Sequence, residues 1–85
     1  MYRENNMITN LQTWTAFDKM AKLNHISLSA LALRSGLNST TFNKSKRVFP
    51  TGQERWPSMC TLVKVLNTLN MSFADFAKLF TEDNK

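Results

Sequence analysis

The stretch Ser27-Leu28-Ser29-Ala30-Leu31-Ala32-Leu33-Arg34-Ser35-Gly36-Leu37-Asn38-Ser39-Thr40-Thr41-Phe42-Asn43-Lys44 decides the fold. Ser27 supplies a hydroxyl to cap a short helix that runs through Arg34, with Leu28, Leu31 and Ala32 facing inward. Gly36 follows closely after, where a helix C-terminus takes a left-handed backbone that glycine adopts without steric penalty. Asn38 or Ser39 is placed to cap the next helix, which is expected to reach about Lys46 with Phe42 as its inward anchor. Two short helices that meet at a steep angle need a small residue at their contact, a glycine in the turn and apolar wedges. Ala32 meets the first demand, Gly36 the second, and Leu31, Leu37 and Phe42 the third.

Outward from this corner, the apolar spacing predicts three more helices. Leu11, Trp14, Phe17, Met20 and Ala21 recur at three and four and mark a first helix over about 10–24. Pro57 suits the first position of a later helix, because its missing N–H has no partner to lose there. Met59, Leu62, Val63, Leu66 and Leu69 form the face of that helix. Ser72 caps a last one, with Phe73, Phe76, Ala77 and Phe80 as its stripe. The expected fold is therefore all-α, a compact bundle of about five short helices forming one domain over 10–80. A flexible N-terminal segment, 1–9, is expected before it, with Met7 and Ile8 as its anchors, and a flexible tail, 81–85, after it.

Composition agrees. Only two Gly and two Pro in 85 residues argue against a many-turned β-fold, while six Phe, two Trp and one Tyr are enough apolar bulk to drive ordering. Cys60 is the sole cysteine, which excludes an internal disulfide or a thiolate metal cluster and fits a reducing cytoplasm. Beside Met59, it reads as a small core residue. No apolar run reaches the ~18 residues of a membrane span, and no apolar signal core follows Met1. His25 has no second ligand at helical spacing, so neither a metal site nor acid–base chemistry is expected. No nucleophile–base pair, phosphate loop or carboxylate pair points to an enzyme, and no cofactor is expected.

The charge is informative once divided along the chain. Of the net +5, residues 1–33 contribute +1, residues 34–56 contribute +4, and residues 57–85 contribute none. Arg34, Lys44, Lys46, Arg47 and Arg55 face only Glu54 in the middle window. A local excess of this kind suits an anionic partner. With Phe42 inward, Ser39, Thr40, Asn43, Lys44 and Lys46 project away from the core. Short hydroxyl and amide side chains at a helix start are the types that reach base edges and phosphates, and free N–H groups there favour phosphate. A solvated helix face would explain the polarity, but not why no acid stands between Asp18 and Glu54. A purely structural αα-corner is the plainer alternative.

Leu31-Ala32 with Gly36-Leu37 resembles the XRE/Cro/C1 class of phage-type repressors, whose fold is the lambda-repressor-like helix-turn-helix. More narrowly, Thr40-Thr41-Phe42-Asn43-Lys44-Ser45-Lys46-Arg47 followed by Trp56-Pro57-Ser58 is similar to the N-terminal DNA-binding domain of LexA-like phage-repressor regulators of alphaproteobacteria. The resemblance spans roughly Trp14 to Phe80, and the Phe-Asn-Lys-Ser-Lys-Arg run is its most specific part. It implies a sequence-specific transcriptional regulator, a repressor, that reads the major groove with the helix at about 39–46. By the same resemblance Ser39, Thr40 and Asn43 face bases, with Asn43 suited to adenine or Lys44 to guanine. Thr41, Lys46 and Arg47 match phosphate contacts, as does Ser29. Such domains bind double-stranded DNA as two-fold dimers on palindromic operators, and a weak homodimer is expected of so small a piece. In that family a self-cleaving serine peptidase domain commonly follows, which also dimerises. This chain has no counterpart of it, so it is either an excised domain or a stand-alone short regulator, and no peptidase activity is carried over.

Two readings stay open for the connection Val48–Trp56, where Pro50, Thr51 and Gly52 are turn chemistry. It is long for a small bundle. In one reading it lies along the DNA backbone, with Arg47 and Arg55 at its ends adding phosphate contacts. In the other it is a passive loop with Phe49 and Trp56 tucked into the core. For the chain as a whole, the competing function is a protein-interaction module, antitoxin-like or adaptor, that offers its basic face to an acidic protein without specific DNA readout.

Overall fold

The computed structural model describes residues 8–81. It is all-helical, with α1 at Asn10–Leu23, α2 at Leu28–Arg34, a 3₁₀ turn at Lys44–Arg47, α3 at Met59–Leu69 and α4 at Phe73–Thr81. Among the described residues there are thus four α-helices, one fewer than expected. Residues 1–7 and 82–85, most of the two segments expected to be flexible, lie outside the described part. Thr9, expected in the first of those segments, is instead the N-cap of α1. Its hydroxyl accepts from Gln12 N at 3.1 Å, and Gln12 Oε1 accepts from Thr9 N at 3.0 Å, a reciprocal capping box.

The missing helix is the one expected at 39–46. Asn38 Oδ1 accepts from both the backbone N–H and the hydroxyl of Thr40, at 2.9 and 2.7 Å, and Thr41 Oγ1 donates to Asn38 O at 2.7 Å. Local side-chain bonds of this type offer the backbone an alternative to the helix ladder. The main chain follows with bonds that span three residues: Thr41 N to Asn38 O, Asn43 N to Thr40 O and Lys46 N to Asn43 O. Asn43 is extended, with ψ 147°, which breaks the run before the 3₁₀ turn. Residues 38–47 are therefore a string of tight turns.

α1, α2 and α3 end the same way with different residues. Ile26 N donates to Ala21 O, Leu37 N to Ala32 O and Met71 N to Leu66 O, each closing a helix around a left-handed residue. Those residues are His25 at φ +56°, Gly36 at φ +78° and Asn70 at φ +60°. His25, whose role the sequence left empty, is a helix stop. Ser58 caps α3 by accepting from Thr61 N at 3.0 Å, so Pro57 precedes the cap and is not the first helical residue as expected.

Phe17 lies at the centre of the core, stacked on Phe42 with ring centroids 5.1 Å apart and within 6 Å of Trp14 and Phe76. Ala16, Met20, Ala21, Leu31, Ala32, Val65, Leu66 and Leu79 are buried around it. α1 packs on α2 and α4, and α2 packs on α3. This arrangement sets the phase of each stripe. α3 turns Leu62, Val65, Leu66 and Leu69 inward and leaves Met59 and Val63 exposed, while α4 buries Leu79 and leaves Phe73 and Ala77 exposed. Leu11 of α1 is also exposed, and so is Cys60, which is not the core residue it was expected to be.

Candidate nucleic-acid interface

The residues expected to wedge the corner after α2 are buried or half-buried as their spacing predicts, although the second helix expected to form it is replaced by turns. Ala32 and Leu31 are fully buried, Leu37 is half-buried, and Phe42 closes the wedge against Phe17. Fixing Phe42 fixes its neighbours: Ser39, Thr40 and Thr41 are half-buried, and Asn43, Lys44, Ser45 and Lys46 are exposed. The segment offers an amide, two ammonium groups and several hydroxyls from one narrow ridge. Lys46 Nζ donates to Thr40 Oγ1 at 3.3 Å, which ties the far end of the ridge back to its start. Ser29 is exposed on the first turn of α2, on the other arm of the corner.

Arg47 departs from the phosphate-contact role that the resemblance implies. Its side chain is only 13% exposed and points into the protein. Nη2 donates to Asp18 Oδ1 at 2.9 Å and to the Phe42 carbonyl at 3.0 Å. The guanidinium lies 5.1 Å from the centre of the Trp14 ring, and Nε is buried with no hydrogen-bond partner among the described residues. The planar fork of arginine suits these simultaneous contacts, whereas an ammonium group would not. Arg47 thus joins the turn segment to α1, and its charge is neutralised by Asp18. Nothing local signals that pairing, because the two residues lie 29 positions apart.

The connection after Arg47 is neither a free loop nor tucked into the core. Val48 and Glu54 form an antiparallel bridge, Phe49 N donates to Gln53 O at 2.8 Å, and Gly52 N donates to Phe49 O at 2.8 Å. Arg55 N donates to Arg47 O at 2.9 Å, which closes the base of this small hairpin. Gly52, at φ +91°, supplies the left-handed residue of its tip. The Arg55 carbonyl accepts from Trp14 Nε1 at 2.9 Å and from Asn10 Nδ2 at 3.0 Å, which pins the hairpin to α1. Phe49 and Trp56, at 39% and 49% exposure, remain at the surface, so the reading that tucks them into the core does not hold. The Arg55 guanidinium lies 4.5 Å over the Phe49 ring.

Lys46 and Arg55 stand between two open clefts and line both. One, of about 320 Å³, continues along Ser45, Val48, Phe49 and Pro50. The other, of about 220 Å³, continues along Thr41, Trp56, Ser58 and Thr61. Of the site residues expected from the sequence, Thr41, Lys46 and Arg55 are therefore brought together, Asn43 and Lys44 lie on the same ridge, and Arg47 is withdrawn behind it. Among the described residues no group of His, Cys, Asp and Glu is placed to hold a metal ion, and no helix is long and apolar enough to cross a membrane. In comparisons with protein-family models, curated proteins and solved structures, the chain matches none.

Proposed function

We propose that the chain is a sequence-specific DNA-binding regulator of the phage-repressor type, which enters the major groove with the turn segment 38–47 and acts in the cytoplasm. The observation that carries this reading is the ridge itself. Phe42, anchored in the core, holds Asn43, Lys44 and Lys46 outward in a stretch that has no carboxylate of its own. A major groove about 12 Å wide accepts such a narrow element without requiring an α-helix. Asn43 is the residue suited to a base edge, because a carboxamide can pair bidentately with adenine. Lys44 and Lys46 supply the charge that holds the segment against the backbone. No chemistry is involved: the protein represses by occupying an operator, and two copies related by a two-fold axis read a palindrome.

Selection of bound sequences from a random duplex pool tests this reading. Recovery of a palindromic motif, bound more tightly than a scrambled duplex, is the expected result. Binding should fall with salt by about 0.9 log units per log unit for each phosphate neutralised. Asn43→Ala should flatten the preference at one base position while leaving the salt slope unchanged. Equal affinity for selected and scrambled duplexes, or a slope near zero, would overturn it.

A further inference from the structure

We propose that the Val48–Glu54 hairpin and the adjoining pair Lys46 and Arg55 form a second DNA-docking surface, aimed at the sugar-phosphate backbone beside the groove that segment 38–47 enters. The proposal rests on the duplex-binding reading above and adds a separate element to it. Three observations carry it, beginning with rigidity. Arg55 is held through its main chain by Arg47 O, Trp14 Nε1 and Asn10 Nδ2, all within 3.0 Å, and its guanidinium rests on Phe49. A cation already held in place loses little freedom when it meets a phosphate.

The second observation is charge. Lys46 and Arg55 are exposed and, among the described residues, neither forms an ion pair, although Glu54 adjoins Arg55 in the chain. Arg47, by contrast, is paired with Asp18 at 2.9 Å, so its charge is already met inside the protein. The third is shape. The two cations form a ridge with an open cleft on each side, Ser45 at the rim of one and Ser58 at the rim of the other. A projecting cationic ridge with hydroxyls on both flanks matches a line of phosphates better than it matches a single carboxylate. Because Lys46 belongs both to this ridge and to segment 38–47, the two surfaces can engage one duplex together.

The test is a fluorescence-anisotropy titration of a labelled duplex from the selection, at several salt concentrations. It compares the wild-type chain with Arg55→Gln, Lys46→Gln and the double variant, each first shown to keep the wild-type thermal midpoint. Both glutamines leave the main-chain pins intact, so folding is expected to survive. The salt slope should become shallower by about 0.9 in each single variant and by about 1.8 in the double variant. Base preference should be unchanged, and hydroxyl-radical footprinting should show fewer protected backbone positions at the edge of the site. An unchanged slope and footprint in Arg55→Gln, with the double variant no shallower than Lys46→Gln alone, would overturn the hairpin surface and leave the duplex reading standing, since Lys46 also serves segment 38–47. A wild-type chain that binds no duplex would overturn both. Binding of polyglutamate in place of duplex, lost in the same variants, would assign the ridge to an acidic protein and overturn the proposal.

Discussion

Arg47 Nη2 and Asp18 Oδ1 lie 2.9 Å apart and join the turn segment that follows α2 to the middle of α1. The pair is asymmetric: the Arg47 side chain is 13% exposed and that of Asp18 is 41% exposed. Arg47→Ala should therefore destabilise the fold by about 2 kcal/mol, through loss of the charged bonds to Asp18 and Phe42 O and of the face of Trp14. Asp18→Asn, at the wetter end, should remove about 0.5 kcal/mol. Urea unfolding gives both values. DNA binding by Arg47→Ala, measured well below its melting midpoint, should keep the wild-type salt slope; a slope shallower by about 0.9 would mean that Arg47 contacts phosphate after all.

The left-handed helix stops give a pair of substitutions with opposite signs. His25 sits at φ +56°, where a side chain is strained, so His25→Gly should raise stability by about 0.5–1 kcal/mol. Gly36→Ala should lower it by about 1–2 kcal/mol. Beyond its chain neighbours nothing lies within 4 Å of where a Gly36 Cβ would stand, so the penalty comes from the backbone angle alone. Thermal melts of the two variants check the pair, and a stabilising Gly36→Ala would refute the shared geometry.

Ser35 closes α2 with its hydroxyl buried and, among the described protein atoms, without a hydrogen-bond partner. Ser35→Ala removes a desolvated polar group and little volume. The expected gain is about 1 kcal/mol, read as a higher urea midpoint with an unchanged m-value. A loss of that size would reveal a partner for the hydroxyl.

Asp75 sets part of the acid response. The Ser72 backbone N–H, at 2.9 Å, and then the Ser72 hydroxyl hold the Asp75 carboxyl below its ordinary value of 3.8. A carboxylate whose pKa falls on folding adds stability at pH values above the unfolded value, and that stability is lost as pH falls through the folded one. The wild-type chain should therefore lose stability below about pH 3.8 more steeply than Asp75→Asn, with the two acid limbs converging at the lowest pH. Acid titration of the thermal midpoint checks this, and parallel limbs would exclude a contribution from Asp75.

How much of the molecule was legible follows from how far each determinant reaches along the chain. Ser27, Gly36 and Ser72 act over three or four residues, and their helix boundaries were visible in the sequence. The stripe of α1 was also readable, since Trp14, Phe17, Met20 and Ala21 leave one choice of face. α3 was ambiguous: Met59, Val63 and Val65 supply apolar residues around more of its circumference than α2 covers, so packing chose the face. Segment 38–47 differs because Asn38, placed to cap a helix, is followed by Thr40 and Thr41, which are weak helix formers, and here the three bond to one another. Arg47 was beyond reach, because a basic residue in a basic run shows no sign of a partner on another helix. The hairpin was hidden for the same reason. Its anchor is the indole N–H of Trp14, 41 residues from the carbonyl that accepts it.

That indole also makes the protein self-reporting. Trp14 is 3% exposed, beneath a guanidinium and bonded to the hairpin, whereas Trp56 is 49% exposed beside the cleft that Lys46 and Arg55 line. Two fluorophores of one chemistry therefore report from two different solvents. Collisional quenching by iodide reaches Trp56 and leaves Trp14 bright, so the emission separates into a signal for the integrity of the core and a signal for the occupancy of the surface. Trp14 also borders that cleft, but at 3% exposure it stays out of the quencher's reach. Phosphate docked along the ridge would therefore change iodide access to Trp56 alone, and no label need be attached to see it.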